Sequence, residues 1–118
     1  MRYNRLDGFT HVCCDREYTG LQYDLWFDSL GQRRSRRNRS IVVYAHVGKR
    51  LIPIYLCGGT AGIKRRYRKT LGMSAVVEYV SSYHAVIEDH WNGMLSDREL
   101  LNALDEMDKG EFYAGFEK

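Results

Sequence analysis

Two β-prone runs, Ile41-Val42-Val43-Tyr44-Ala45-His46-Val47 and Leu51-Ile52-Pro53-Ile54-Tyr55-Leu56-Cys57, are separated by only three residues. That spacing leaves few ways to fold either of them. β-Branched and aromatic side chains fill both runs. Gly48, at the first central position of Val47-Gly48-Lys49-Arg50, suits a two-residue type II′ turn. The turn sets the register: Val47 faces Arg50, Ala45 faces Ile52, Val43 faces Ile54 and Ile41 faces Leu56. These residues make one apolar face, directed at a core. Tyr44, His46, Leu51, Pro53 and Tyr55 take the other face, because successive side chains alternate across a strand. Pro53 has no N–H to give a neighbouring strand, so its strand is expected at an edge or bulged there.

The remaining segments extend this hairpin into a domain. Residues 8–14 and 21–27 read as strands, the second with Leu21, Tyr23, Leu25 and Phe27 on one face at period two. Residues 31–40 form a polar, Arg-rich loop with nothing to bury, expected to be flexible. Gly58 to Gly62 reads as a turn leading into a short helix, with Ile63, Tyr67 and Leu71 on one side and Gly72 as its stop. Met73, Val76, Val77, Val80, Tyr83, Ile87 and Trp91 form one apolar stripe, predicting a long helix that ends at Asn92-Gly93. Ser96-Asp97-Arg98-Glu99 is a capping box that starts a last helix, with Leu95 and Leu100 as a hydrophobic staple. Leu100, Leu101, Leu104 and Met107 face the core, and Gly110 ends the helix. The chain of 118 residues suits a single domain, 1–118. The fold class is α+β: a small antiparallel sheet, including the 41–47/51–57 hairpin, followed by two or three helices packed on one face.

Charge is segregated along the chain. Net charge is only +3, yet residues 29–77 contain twelve basic and no acidic residues, while residues 78–118 contain three basic and ten acidic ones. The first dense group is Arg33, Arg34, Arg36, Arg37 and Arg39; the second is Lys64, Arg65, Arg66, Arg68 and Lys69. Lys49-Arg50 adds a third. Like charges this close repel, so an anionic partner or the protein's own acidic third must offset them. Arginine predominates, and its planar fork matches phosphate in a bidentate way. The pattern points to nucleic acid or a nucleoprotein complex.

Three cysteines make a disulfide scaffold unexpected. A zinc site would have to draw on His11, Cys13, His46 and Cys57, without the usual Cys-x-x-Cys knuckle. Otherwise the cysteines serve as small buried hydrophobes. Gly58-Gly59-Thr60-Ala61-Gly62-Ile63-Lys64 is not a P-loop, since Ile63 stands where a glycine must precede the lysine. A glycine turn feeding a helix N-terminus would still offer N–H groups to a phosphate. No apolar run approaches the roughly 20 residues of a membrane span. The N-terminal residues lack the apolar core of a signal peptide, so a cytoplasmic location is expected.

Val42-Val43-Tyr44, then Tyr55-Leu56-Cys57 after a ten-residue gap, then Ile63-x-x-Arg66, resemble the core of the GIY-YIG nuclease family over residues 41–70. Val42 and Cys57 replace the glycines of the two motifs, and Thr70 stands where a histidine is frequent in the family. The resemblance implies metal-assisted phosphodiester hydrolysis. Tyr44 and Tyr55 would help to activate water, Arg66 would stabilise the charge on phosphorus, and Glu99, with Glu106 as the next choice, would hold Mg²⁺. Without that activity, Tyr44 and Tyr55 are a supporting aromatic pair of the sheet.

Three functions therefore stand as expectations. The first is a non-enzymatic nucleic-acid- or nucleoprotein-binding protein that uses both arginine-rich clusters and needs no cofactor. The second is the metal-dependent nuclease, active or inactivated. The third is a small inhibitor of the phage or mobile-element type, bound to a nucleic-acid-processing complex through its acidic helices 78–108 or its aromatic tail 112–116.

Overall fold

The computed structural model describes residues 2–6, 9–28 and 41–108. The Arg33–Arg39 cluster, the loop 31–40, Gly110, the tail 112–116, and the side chains of Glu106 and Met107 lie outside the described residues. Six strands form one antiparallel sheet in chain order. They are β1 (Arg2–Leu6), β2 (Phe9–Cys14), β3 (Asp24–Asp28), β4 (Ile41–Val47), β5 (Arg50–Cys57) and β6 (Thr60–Ile63). A single helical turn, α1 (Arg16–Thr19), joins β2 to β3. After β6 come a 3-10 turn (Arg65–Tyr67), α2 (Met73–Ser82), α3 (His84–Trp91) and α4 (Asp97–Asp108). The protein is an α+β domain with its helices following the sheet.

The hairpin register is the one its turn dictates: Val47 faces Arg50, Ala45 faces Ile52, Val43 faces Ile54 and Ile41 faces Leu56. Gly48 takes φ +60°, the left-handed region that favours glycine. β5 is an interior strand, yet the expectation for Pro53 holds locally. β6 pairs only with residues from Ile54 to Cys57. Pro53 therefore lies beyond the end of β6, and Tyr44 is its partner on the other side.

Alternation divides the sheet into two faces. Val12, Cys14, Leu25, Phe27, Val43, Ala45, Ile52, Ile54, Leu56 and Ala61 point to the helices, and α2–α4 add Met73, Val76, Val80, Val86, Ile87, Leu100, Leu101 and Leu104 to the same core. Each large apolar side chain buried here contributes about 2 kcal/mol. The opposite face carries a second cluster of Cys13, Trp26 and Tyr44, flanked by Leu6, Val42 and Leu51.

Before the hairpin, β1 and α1 are elements the sequence reading lacks, and the strand expected over 21–27 starts only at Asp24; beyond the hairpin, two elements differ. Gly58 to Gly62 is not a loop that feeds a helix. Gly58 (φ +59°) and Gly59 (φ +80°) make a tight turn, and Thr60–Ile63 returns as β6. Positive φ at both central residues is the signature of a type I′ hairpin turn. Ile63 is thus a strand residue, only Arg65–Tyr67 is helical, and Leu71 is left exposed. No helix N-terminus follows the glycines, so the phosphate cradle expected there does not form. The second difference is a break in the long helix at Tyr83, whose φ −105° and ψ 25° leave the helical region. Contacts to β6 and its turn hold that point: Ala61 N–H donates to Ser81 Oγ at 3.0 Å, and Gly59 leaves room for the His84 ring. Ser81 thereby covers an otherwise open sheet edge.

The capping box forms as written. Glu99 N–H donates to Ser96 Oγ at 3.1 Å, and Ser96 N–H donates to a Glu99 carboxylate oxygen at 3.0 Å. These bonds hold the Glu99 carboxyl below the usual range. Among the described residues, no helix is long and apolar enough to cross a membrane.

Candidate nucleic-acid interface

The end of the sheet at the β4–β5 turn gathers two basic groups that are distant in sequence. β6 runs antiparallel to β5, so the chain leaving Ile63 continues along β5 toward Arg50. The 3-10 turn follows at once, closed by Tyr67 N–H donating to the Lys64 carbonyl at 3.0 Å. Arg50, Leu51, Arg66 and Tyr67 then line one open cleft of about 540 Å³. The Arg66 guanidinium carbon lies 4.8 Å from the centre of the Tyr67 ring, a cation–π stack.

Lys49, Arg50, Lys64, Arg65, Arg66, Arg68 and Lys69 are all exposed. Among the described residues, none of them forms an ion pair with a carboxylate. Among the described residues, no carboxylate of the acidic third pairs with a cation at this end. A groove between β6 and α2 is lined by both Arg68 and Glu78, which do not pair. Of the second basic cluster, Arg66 thus shares the cleft with Arg50, while Arg68 lines the neighbouring groove.

The residues suggested by the nuclease resemblance divide between two sides of the sheet. Tyr44 and Tyr55 share the face away from the helices, as the register requires. Tyr44 is buried there, its ring edge-on to His11 at 5.4 Å, while Tyr55 is exposed. Arg66 lies beyond the end of β6, in the cleft. Glu99 sits in the first turn of α4, whose Leu100, Leu101 and Leu104 pack into the core on the helix side. The sheet separates Glu99 from both tyrosines, and its carboxylate is engaged in the cap.

The four suggested zinc ligands do not meet either. His46 and Cys57 lie at opposite ends of the β4–β5 hairpin, about 20 Å apart at roughly 3.4 Å of rise per residue. His11 is fully buried against Asp28, with Nε2 2.9 Å from the carboxylate. Cys13 belongs instead to a corner that sequence reading missed, where its sulfur and the carboxylates of Asp15 and Asp24 come within 4.8 Å of one another. The Arg2 guanidinium fills that corner. It donates to Asp15, to Asp24 at 3.1 Å and to Cys13 Sγ at 3.0 Å, and it holds the Asp15 carboxyl below its usual range. Burial, helped by Asp15, pushes the Cys13 thiol up to about 12. The only sequence signal for this corner was a pair of acids near a strand end.

Cysteine chemistry follows from these positions. Cys57 is exposed, while Cys13 and Cys14 are buried. N-Ethylmaleimide at pH 7.5 is expected to add once to the native protein, at Cys57, with the other two thiols reacting only after denaturation. Mass spectrometry of the intact protein and its peptides checks this. Labelling of Cys13 at the rate of Cys57 would mean that the Arg2 corner opens freely.

No protein-family model, curated protein or solved structure matches the chain.

Proposed function

We propose that the protein is a small, non-enzymatic binder of nucleic acid or of a nucleoprotein complex, and that the basic end of the sheet is its contact surface. One observation carries this reading. Seven exposed cations at that end have no carboxylate partner among the described residues. Their mutual repulsion is relieved by a polyanion, and a phosphate backbone is the polyanion for which arginine forks are best shaped. The Arg33, Arg34, Arg36, Arg37 and Arg39 cluster belongs to the same proposed surface on grounds of sequence alone. Most contacts would go to phosphate, since no groove-reading motif appears in the chain.

The test is a binding titration with labelled DNA and RNA, single- and double-stranded, across a salt series with and without Mg²⁺. The expected result is binding whose log affinity falls linearly with log salt, without cleavage. Mg²⁺-dependent cleavage abolished by Arg66→Ala would replace this reading with the nuclease. No binding at low salt would overturn it and leave a protein target.

A further inference from the structure

We infer that the cleft between β5 and the 3-10 turn receives one nucleotide of a single strand, its phosphate between Arg50 and Arg66 and its base against Leu51 and Tyr67. This inference rests on the nucleic-acid reading above and specifies its substrate class.

The lining of the cleft is of two kinds. Arg50 and Arg66 supply guanidinium groups, and among the described residues no carboxylate lines the cleft with them. Leu51 and Tyr67 supply an apolar and an aromatic wall. A bare phosphate needs only the first kind; a base needs the second. The volume, about 540 Å³, lies within the roughly 300–1,000 Å³ of small-ligand sites.

The wall is fixed before any ligand arrives. Tyr67 is half-buried and packs against the main core. Its N–H is bonded to Lys64, and the N–H of Arg68 to the Arg65 carbonyl at 3.2 Å. The Arg66 guanidinium in turn lies over the Tyr67 ring, its central carbon 4.8 Å from the ring centre. A stacked guanidinium keeps its N–H edge free for phosphate and its outer face free for a base.

Strand number follows from this geometry. Bases in a duplex are stacked on one another and offer no free face to a cleft wall. A patch that recognised charge alone would favour the duplex, which carries the denser row of phosphates. Preference for a single strand therefore requires the aromatic wall. A strand, rather than a free nucleotide, suits the other cations: Lys49, Lys64, Arg65, Arg68 and Lys69 do not line the cleft, so contacts from them would fall on phosphates beyond the first.

The experiment compares a labelled mixed-sequence 12-nucleotide single strand, its duplex and a mononucleotide by fluorescence anisotropy. Wild type is expected to bind the single strand more tightly than the duplex, and the mononucleotide at least 100-fold more weakly. Tyr67→Leu keeps an apolar side chain against the core, and Arg66→Lys keeps the charge. Each is expected to weaken the single strand by about tenfold, within the range found for loss of one stacked base, while leaving the duplex within twofold. Circular dichroism melts confirm that both variants are folded, and Arg66→Lys, altered at an exposed residue, remains informative if Tyr67→Leu is not. A wild-type preference for duplex, equal losses on both forms, or a mononucleotide as tight as the strand would overturn the inference while leaving the nucleic-acid reading intact. Absence of salt-dependent binding to any form would overturn both.

Discussion

Replacing Lys64, Arg65, Arg66, Arg68 and Lys69 together with glutamine is expected to weaken nucleic-acid binding by about three orders of magnitude at 0.1 M salt. The size follows from counterion release. Each phosphate neutralised on a single strand contributes about 0.7 to the slope of log affinity against log salt, or roughly fivefold in affinity at 0.1 M. Five lost contacts remove about 3.5 from that slope and roughly 10³ in affinity. All five side chains are exposed, so the fold should not change. A salt series on wild type and variant reads both quantities from the same data. Neutralising Arg33, Arg34, Arg36, Arg37 and Arg39 instead tests the first cluster on the same scale. Affinity retained within about fivefold in the first variant would move the interface away from this end of the sheet. A lower affinity with an unchanged slope would mean that the substitutions act on shape and not through phosphate.

The parts of this molecule legible in its sequence are those where local chemistry and tertiary packing agree. The β4–β5 hairpin is one, because a two-residue turn leaves a single register and that register brings Val43, Ala45, Ile52, Ile54 and Leu56 into the core together. The capping box of α4 is another, since both of its bonds are made within four residues of chain. β1 was not legible: Arg2-Tyr3-Asn4-Arg5-Leu6 is almost wholly exposed and is a strand only because β2 offers it an edge. β6 was hidden differently. It is only four residues long with alanine and glycine at its centre, and the Gly58-Gly59 pair of its type I′ turn reads from sequence as a connection into a helix. That one misreading displaced the following helix and obscured how Arg66 and Tyr67 come to face Arg50. The break at Tyr83 was invisible because the apolar stripe continues through it; contacts from β6 decide it.

The same division applies to the candidate site. The second basic cluster was legible as a run of charge, but its meeting with Arg50 depends on β6 returning along β5. Tyr44 and Tyr55 were legible as residues sharing a face, yet not as one buried and one exposed side chain. His11 and Asp28 are 17 positions apart and become neighbours only through the β2–β3 register. Tyr44 packs on this pair, its ring edge-on to the buried imidazole.

Asp28→Ala is expected to destabilise the protein by about 3 kcal/mol, the upper end of the cost of leaving a buried polar group without its partner. The carboxylate oxygen lies 2.9 Å from His11 Nε2, and both side chains are 1% exposed. Alanine removes that contact and leaves space beside the imidazole, whose own desolvation is no longer offset by the carboxylate. For a domain of this size the loss corresponds to a fall in Tm of roughly 12 °C. A double-mutant cycle separates the pair from simple truncation. With Asp28→Ala, His11→Ala and the double variant, the coupling energy is expected near 2 kcal/mol, read from urea midpoints and thermal melts. Coupling below about 0.5 kcal/mol would mean that each group is satisfied independently by its other contacts. The cycle also divides stability from binding. His11 and Asp28 sit on the β2–β3 pair, and neither lines the cleft that holds Arg50 and Arg66. Below its own melting temperature, Asp28→Ala should therefore bind nucleic acid with the wild-type affinity and salt slope. A variant that melts early yet binds normally would show that this pair supports the fold and takes no part in the contact.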